Sequence, residues 1–297
     1  MPTAHVNGIA LHFEDSGQGI PVLFIHGGYG GPATTLVEPT LPPIVSALQG
    51  VARVITYDRR SAGRSQYVLD AYTMGDIATD AAALIDYLEI ERCIVVGSSA
   101  GGPIAIQFAL NWPERLLGLA LPNTGPALMC EAPSGFDEPL PEGVALRKRR
   151  IRHFLDQVED AARLGDKAYF ETHEEDIRNP RMPPGASATP NDTTRRIQQA
   201  LAAASSDVLF ECYIGMLRNY SAYIDVDFTA ALDQVHTPTF IVHGTADRVV
   251  PIEYAQVLQQ RIPQTEYHAI DGAGHGILFN IPAQRRLARW VAALIQP

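Results

Sequence analysis

The stretch from residue 94 to residue 102 constrains the fold of this chain more than any other. Residues 94–96 are β-branched and apolar, which predicts a buried strand, and they lead directly into Gly97-Ser98-Ser99-Ala100-Gly101. Residues 103–110 follow with the composition of a helix. A strand, a tight Gly-x-Ser-x-Gly turn and a helix form the context in which the central serine is strained, exposed and nucleophilic. Because the same motif also occurs in ordinary turns, partner residues elsewhere must support this interpretation of Ser99.

Length and composition limit the class of protein. The 297 residues are 46% hydrophobic, which is enough for a large core, so we expect one α/β domain or a domain with an insertion. The net charge of −10 argues against nucleic acid or an anionic membrane as the main partner. Cys93, Cys130 and Cys212 lie too far apart for a zinc site or a disulfide framework, and they indicate a reducing compartment. Since the sequence contains no signal-like segment and no apolar run of membrane-spanning length, we expect a cytoplasmic protein.

Apolar strands and amphipathic helices alternate along most of the chain. After a hairpin that turns at Asn7-Gly8, buried strands are predicted at residues 21–25, 53–57, 116–121 and 239–242. This alternation favours a parallel sheet with helices on both faces. Between residues 123 and 233 it stops, and Pro and Gly clusters separate helix-like stretches at residues 144–164, 166–175, 192–204 and 206–223. We therefore predict a core built from residues 1–122 and 234–297, with a helical insertion at residues 123–233.

A serine nucleophile needs a base, and the base needs an acid that fixes its tautomer and stabilises its charged form. Asp247 and His275, like Ser99, each follow a predicted strand. In open α/β sheets ligands bind beyond the carboxyl ends of the strands, so these three side chains are expected at one edge. His275 is the preferred base because it lies in a flexible turn between Gly274 and Gly276.

Other acids and bases have simpler interpretations. His26 begins a glycine-rich loop at residues 26–32, and we expect its ring to hold that loop. Asp271 lies only four residues before His275 and is interpreted as a turn residue. Asp225 and Asp227, at the end of the insertion, are the fallback acids.

The oxyanion formed when a serine attacks a carbonyl needs two preorganised donors. The backbone N–H of Ala100, at the start of the predicted helix, is one candidate, since helix N-termini favour negative charge. The second is expected from the glycine-rich loop, with Gly28 the first choice and Tyr29 its neighbour. Tyr29 and Ser98 are also the candidates for contact with the substrate.

Taken together, these motifs resemble those of the α/β-hydrolase fold family. The matching parts are His26-Gly27-Gly28, the turn at residues 58–65, the motif at residues 97–101, Asp247 and Gly274-His275. They extend over about residues 20–279, and the turn is similar to the D-x-R-G-x-G-x-S pattern of many members. One departure is Arg60-Ser61, where a glycine is common after the arginine. The resemblance implies a mostly parallel eight-stranded sheet, a helical cap after the sixth strand, and a Ser-Asp-His triad that uses neither cofactor nor metal.

A serine nucleophile implies an acyl-enzyme, so the first hypothesis is hydrolysis of a carboxylic ester, or of a related lactone or thioester. The aromatic residues of the predicted insertion indicate a small to medium, partly apolar substrate. They are Phe154, Tyr169, Phe170, Phe210, Tyr213, Tyr220 and Tyr223. Most of them are expected to pack the insertion's own helices.

Other functions on the same fold stay open. An aminopeptidase resembling proline iminopeptidases would use Glu174, Glu175 and Asp176 to hold a substrate ammonium, although that family's elbow is typically Gly-Gly-Ser-Trp-Gly. Carbon–carbon bond hydrolysis and perhydrolysis use the same triad. A receptor that binds a ligand without catalysis is the alternative from a different class. The sequence leaves the substrate and the oligomeric state open.

Overall fold

The computed structural model describes residues 2–31, 46–48, 50–130, 133–135, 145, 148–153, 155–156, 170–171, 174, 195, 199 and 202–294. The strands within these residues form one eight-stranded sheet. In chain order they are β1 (Thr3–Val6), β2 (Ile9–Gly17), β3 (Pro21–Ile25), β4 (Arg53–Tyr57), β5 (Cys93–Gly97), β6 (Leu116–Pro122), β7 (Thr239–Gly244) and β8 (Thr265–Ile270).

The sheet is mostly parallel, with spatial order β1-β2-β4-β3-β5-β6-β7-β8. The hairpin strands β1 and β2 are antiparallel, and β2 is antiparallel to β4, whereas every pair from β4 to β8 is parallel. Every residue of β5 is buried, as expected for an apolar strand in the middle of a sheet covered on both faces. This arrangement brings the carboxyl ends of β3, β5, β6, β7 and β8 to the same edge.

Helices cover both faces of the sheet. The long helices of the described residues are α1 (Met74–Tyr87), α2 (Gly101–Asn111), α3 (Ser206–Ser221), α4 (Ile252–Arg261) and α5 (Ile281–Ala293). Alternate strand residues such as Leu23 and Val95 share a core with α1, α2 and α4, while Phe24 and Val96 face α5. The predicted fold class is confirmed.

The turn at residues 58–65 forms in spite of the serine at its glycine position. Ser61 has a φ of 55°, in the left-handed region that glycine favours, which costs roughly 1–2 kcal/mol for a residue with a Cβ atom. Its hydroxyl accepts a hydrogen bond from the Val68 amide at 3.0 Å. Glycine is required at Gly63, where a Cβ atom would lie 2.2 Å from the Asp58 carboxylate. The departure from the family pattern therefore leaves the turn intact.

The segment between β6 and β7 is only partly described. Its predicted helix at residues 206–223 is α3. Of the other three predicted helices, the described residues 145, 148–153, 155–156, 170–171, 174, 195, 199 and 202–203 are helical, residue 204 forms a bend, and the rest lie outside the described residues. The division into residues 1–122, 123–233 and 234–297 stays a prediction. Within the part of the chain that the structure describes, no helix has both the length and the apolar character needed to cross a membrane.

Candidate active site

Ser99 lies in the turn between β5 and α2 with a φ of 51°. Two glycines make this strained turn possible. A Cβ atom at Gly97 would lie 2.5 Å from the carbonyl oxygen of Gly101, and one at Gly101 would lie 2.2 Å from the carbonyl oxygen of Ile25. No real Cβ contact is that short, so both positions must be glycine for the strand, the turn and the helix to pack together. The strand, tight turn and helix predicted around Ser99 are present.

His275 bridges Ser99 and Asp247. The Ser99 hydroxyl lies 3.0 Å from Nε2 of His275, and Nδ1 of the same ring lies 2.7 Å from a carboxylate oxygen of Asp247. An ionised carboxylate only accepts hydrogen bonds, so Nδ1 carries the ring proton and Nε2 accepts from the serine. The three side chains follow β5, β7 and β8, and the structure brings them together as expected.

Asp247 is held firmly by its surroundings. One of its carboxylate oxygens accepts hydrogen bonds from the amides of Val249 and Val250, at 2.8 and 3.0 Å. Nε2 of the buried His243 lies 3.5 Å from the other oxygen and donates to the Val250 carbonyl at 2.8 Å. Burial alone would raise the pKa of Asp247, but hydrogen bonds from His243 and His275 outweigh it and hold that pKa well below its usual range. Asp247 is therefore ionised at neutral pH.

The alternative acids and base lie elsewhere. Asp271 accepts a hydrogen bond from the Thr245 hydroxyl at 3.2 Å in an exposed turn. Asp225 pairs with Arg152, and Asp227 binds the Ser134 amide at 2.7 Å. None of these carboxylates has a described contact with His275.

His26 holds the glycine-rich loop, as the sequence predicts. Its Nε2 accepts from the Arg59 amide at 3.2 Å, so Nδ1 carries the proton and donates to the Gly27 carbonyl at 2.7 Å. Burial, and next the charge of Arg59, lower the pKa of His26 to about 3. The ring is therefore neutral and fixes the orientation of the peptide that carries the Gly28 N–H.

Two backbone amides are available beside Ser99. The glycine loop packs directly on the serine, because a Cβ atom at Gly27 would lie 2.9 Å from the Cβ atom of Ser99. Gly28 has a φ of 78°, which glycine adopts at no steric cost. Among the described residues, neither the Gly28 amide nor the Ala100 amide donates to a protein acceptor. Both predicted oxyanion donors are thus unoccupied N–H groups on segments that contact the nucleophile.

Asn123 and Thr124, which follow β6, support the site and were not singled out from the sequence. The side-chain amide of Asn123 donates to the His275 carbonyl at 3.2 Å, and the Thr124 hydroxyl donates to the Ser99 carbonyl at 2.6 Å. Ser98 is buried, and its hydroxyl donates to Asn123 at 3.1 Å. Because Ser98 is buried and does not line the cavity beside Ser99, the structure gives no support to its expected contact with the substrate. The sequence signal for Asn123 and Thr124 is that both are polar and directly follow a buried strand.

A cavity of about 160 Å³ opens beside Ser99. Its lining is largely apolar and aromatic: Tyr29, Leu128, Met129, Lys148, Ile151, Tyr220, Val249, Val250, Pro251 and Tyr254. Tyr29 stacks on Tyr220 with ring centroids 4.6 Å apart. The Lys148 ammonium donates to the Tyr254 hydroxyl at 2.6 Å. Within the described part of the chain, no three His, Cys, Asp or Glu side chains are grouped as metal ligands would be.

Comparison with known proteins places these features in context. Residues 20–282 match a sequence model described as the alpha/beta hydrolase fold. A relative from Yersinia enterocolitica, provisionally named the carbamate hydrolase RutD, is 29% identical over 275 residues, covering 90% of this chain and 86% of its own. The bifunctional esterase/perhydrolase DCH of Acinetobacter calcoaceticus is 27% identical, covering 83% and 82%. The structure of a thermophilic esterase from Thermogutta terrifontis superposes with a TM-score of 0.67 at 23% identity, covering 99% of each chain.

Proposed function

The chain belongs to the α/β-hydrolase fold family, and from that premise we propose that it cleaves carboxylic esters through an acyl-enzyme on Ser99. One observation carries the proposal. The Ser99 hydroxyl, the His275 ring and the Asp247 carboxylate form an unbroken line of hydrogen bonds, at 3.0 and 2.7 Å. That line is the arrangement through which a serine hydroxyl loses its proton as it attacks a carbonyl.

The reaction follows from the geometry. Ser99 Oγ bonds to the ester carbonyl carbon while Nε2 of His275 takes the hydroxyl proton, and Asp247 stabilises the resulting imidazolium. The carbonyl oxygen becomes an oxyanion, bound by the amides of Gly28 and Ala100. The C–O bond to the alcohol then breaks, and His275 returns the proton to the departing oxygen. A water molecule then attacks the acyl-enzyme carbonyl in the same way, with His275 taking its proton. The carboxylic acid is released and Ser99 is restored.

The substrate is small and partly apolar. The cavity beside Ser99, at about 160 Å³, is smaller than the roughly 300–1,000 Å³ clefts that hold drug-sized ligands. Its lining of Leu128, Met129 and Tyr220 suits a short acyl chain, and Tyr29 lies at the same wall. A short linear ester, a lactone or a thioester meets these limits. The relative named an esterase/perhydrolase supports ester cleavage.

Perhydrolysis is the second candidate, since the same relative carries that activity in its name. Hydrogen peroxide would then replace water in attacking the acyl-enzyme, and the product would be a peracid. The aminopeptidase alternative has less support. Glu174, the one described member of its three proposed acids, accepts a hydrogen bond from Ser206 at 3.0 Å, while Glu175 and Asp176 lie outside the described residues.

A substrate screen tests the proposal. We expect turnover of p-nitrophenyl acetate and butyrate, much less of the octanoate, and less still of proline p-nitroanilide. The Ser99→Ala variant should fold normally and lose about 10⁴-fold or more in kcat, because the nucleophile is gone. Faster cleavage of the anilide would favour the aminopeptidase, and peracid formation in added peroxide would identify a perhydrolase.

Labelling with a fluorophosphonate separates an enzyme from a receptor. We expect one adduct per chain on Ser99 in the wild type and none in Ser99→Ala. A folded wild-type protein that takes up no label and cleaves none of these substrates would contradict the proposed function.

A further inference from the structure

A buried arginine contacts the glycine-rich loop beside Ser99 and is linked through a tyrosine to the start of α2. Arg59 is 1% exposed and is the largest of the fully buried side chains in the described part of the chain. Its guanidinium donates to three neutral oxygens: the Gly28 carbonyl, the Gly27 carbonyl at 3.5 Å, and the Tyr223 hydroxyl at 2.5 Å. Its Nε atom is buried and has no hydrogen-bond partner within the described residues. A cation buried on neutral oxygens alone is costly for the fold, so its position calls for an explanation other than stability.

Tyr223 continues this line of hydrogen bonds to the other side of the site. Its hydroxyl accepts from Arg59 and donates to the carbonyl of Ala100 at 2.6 Å. Burial raises the pKa of Tyr223, so the hydroxyl keeps its proton and stays a donor. Arg59 and Tyr223 thereby join the carbonyls of Gly28 and Ala100, which belong to the two residues whose amides face the proposed oxyanion.

The arginine of the family-like turn is a different residue. In the pattern D-x-R-G-x-G-x-S, Arg60 occupies the arginine position and forms a buried pair with Asp80, at 2.6 Å. Arg59 occupies the variable position before it. The contacts of Arg59 lead toward the segments beside Ser99, whereas those of Arg60 lead to α1.

We propose that Arg59 and Tyr223 are positioning residues that hold the two oxyanion donors at a fixed separation. The proposal rests on the proposed esterase function. The two donors come from segments that are far apart in the chain, after β3 and after β5, and each must point at the same oxygen atom. The guanidinium of Arg59 donates hydrogen bonds both to the loop after β3 and to the Tyr223 hydroxyl. That hydroxyl in turn donates to Ala100, in the turn after β5.

The test compares Tyr223→Phe with Tyr57→Phe. Tyr57 is equally buried, but its hydroxyl has no hydrogen-bond partner among the described residues, so we expect its loss to leave turnover unchanged. We expect Tyr223→Phe to lower kcat on p-nitrophenyl butyrate by about tenfold with KM changed less than twofold, since a misplaced donor weakens only transition-state binding. The inhibition constant of an alkyl trifluoromethyl ketone, which forms an oxyanion on the serine, should rise by the same factor. Arg59→Lys keeps the charge without the fork, and we expect it to lose at least as much.

Two results would overturn the proposal. One is a Tyr223→Phe enzyme with kcat and ketone affinity within twofold of the wild type. The other is a loss of activity that disappears when rates are normalised to the folded fraction, which would make the role purely structural.

The rate of fluorophosphonate labelling gives a readout that needs no ester substrate. A wild type that labels at Ser99 but cleaves no ester would defeat the proposed function, while slower labelling of Tyr223→Phe than of Tyr57→Phe would still support the positioning role. Equal labelling rates in that case would defeat both.

Discussion

At the scale of single residues, the site depends on atoms that only accept or only donate. Asp247 is the clearest case, because two backbone amides occupy one of its oxygens and leave the other for His275. An amide in place of this carboxylate keeps the shape, but it can present a donor to Nδ1 and so reverse the tautomer of the ring. The proton would then lie on Nε2, where the Ser99 proton has to go.

The variant Asp247→Asn tests this dependence. We expect kcat to fall by about 10³- to 10⁴-fold, because the histidine base is held in the wrong tautomer. The variant should still unfold in a cooperative thermal transition, which shows that it is folded. Asp271→Asn is the matched control, since Asp271 is exposed and accepts from the Thr245 hydroxyl, which an asparagine also allows. Hydrolysis of p-nitrophenyl butyrate provides the measurement. If both variants lost activity equally, Asp247 would have no special place in the reaction.

Sequence patterns identified some residues of the site and missed others. Ser99 and His275 are identifiable because each lies between small residues in a loop that follows a predicted strand. Asn123 and Arg59 carry no comparable signal, since polar residues after strands usually serve turns. What distinguishes them are contacts with His275, 152 residues away, and with Tyr223, 164 residues away. Only the folded chain shows such contacts.

At the scale of elements, the glycines between β5 and α2 decide whether strand, turn and helix can meet. The strands and helices could be predicted from the sequence because each kind of burial leaves its own apolar pattern. A strand buried on both faces is apolar throughout, and a helix buried on one face has apolar residues at helical spacing. A close approach between two backbone segments is marked in the sequence only by a glycine. A glycine alone does not show whether another segment packs against it, and only the folded structure does. Gly101 and Gly75 show the difference, since both stand in the first turn of a helix.

Alanine at these two positions should act in opposite directions. At Gly101 the new methyl group would lie 2.2 Å from the Ile25 carbonyl, which β3 holds in place, so we expect a loss of more than about 3 kcal/mol or failure to fold. At Gly75 the nearest atom is 3.4 Å away, and we expect a gain of about 0.4–1 kcal/mol. Urea denaturation measures both free energies. Gly101→Ala of wild-type stability would mean that the elbow is looser than described.

At the scale of the whole molecule, the buried His26 links stability to pH. Its pKa is about 3 in the folded chain, against 6.5 for an exposed histidine. Between these values the unfolded chain binds one more proton than the folded chain, so acid favours unfolding. Above pH 6.5 both states have a neutral ring, and the contribution of His26 is constant.

The free energy of unfolding should therefore fall as pH is lowered from 6.5 toward 3, with His26 contributing up to about 1.4 kcal/mol per pH unit. His26→Gln offers an acceptor for the Arg59 amide and a donor for the Gly27 carbonyl but does not titrate in this range. We expect its stability to depend less on pH, by that slope. Urea titrations at several pH values measure the difference, and parallel profiles for the two proteins would contradict the assignment.

The order of Ser99, Asp247 and His275 along the chain determines which stretch of the protein can be replaced by engineering. The stretch between β6 and β7 lies after Ser99 and before Asp247 and His275 in the chain, and β7 and β8 are joined to the sheet by their own hydrogen bonds. Enzymes engineered from this scaffold could exchange that stretch for another and acquire new selectivity without touching the reacting atoms. Asn123, Thr124 and Tyr223 are exceptions, since they lie in that stretch and still donate hydrogen bonds to the carbonyls of His275, Ser99 and Ala100. A graft that omits this tyrosine would bring in a new pocket at the expense of rate.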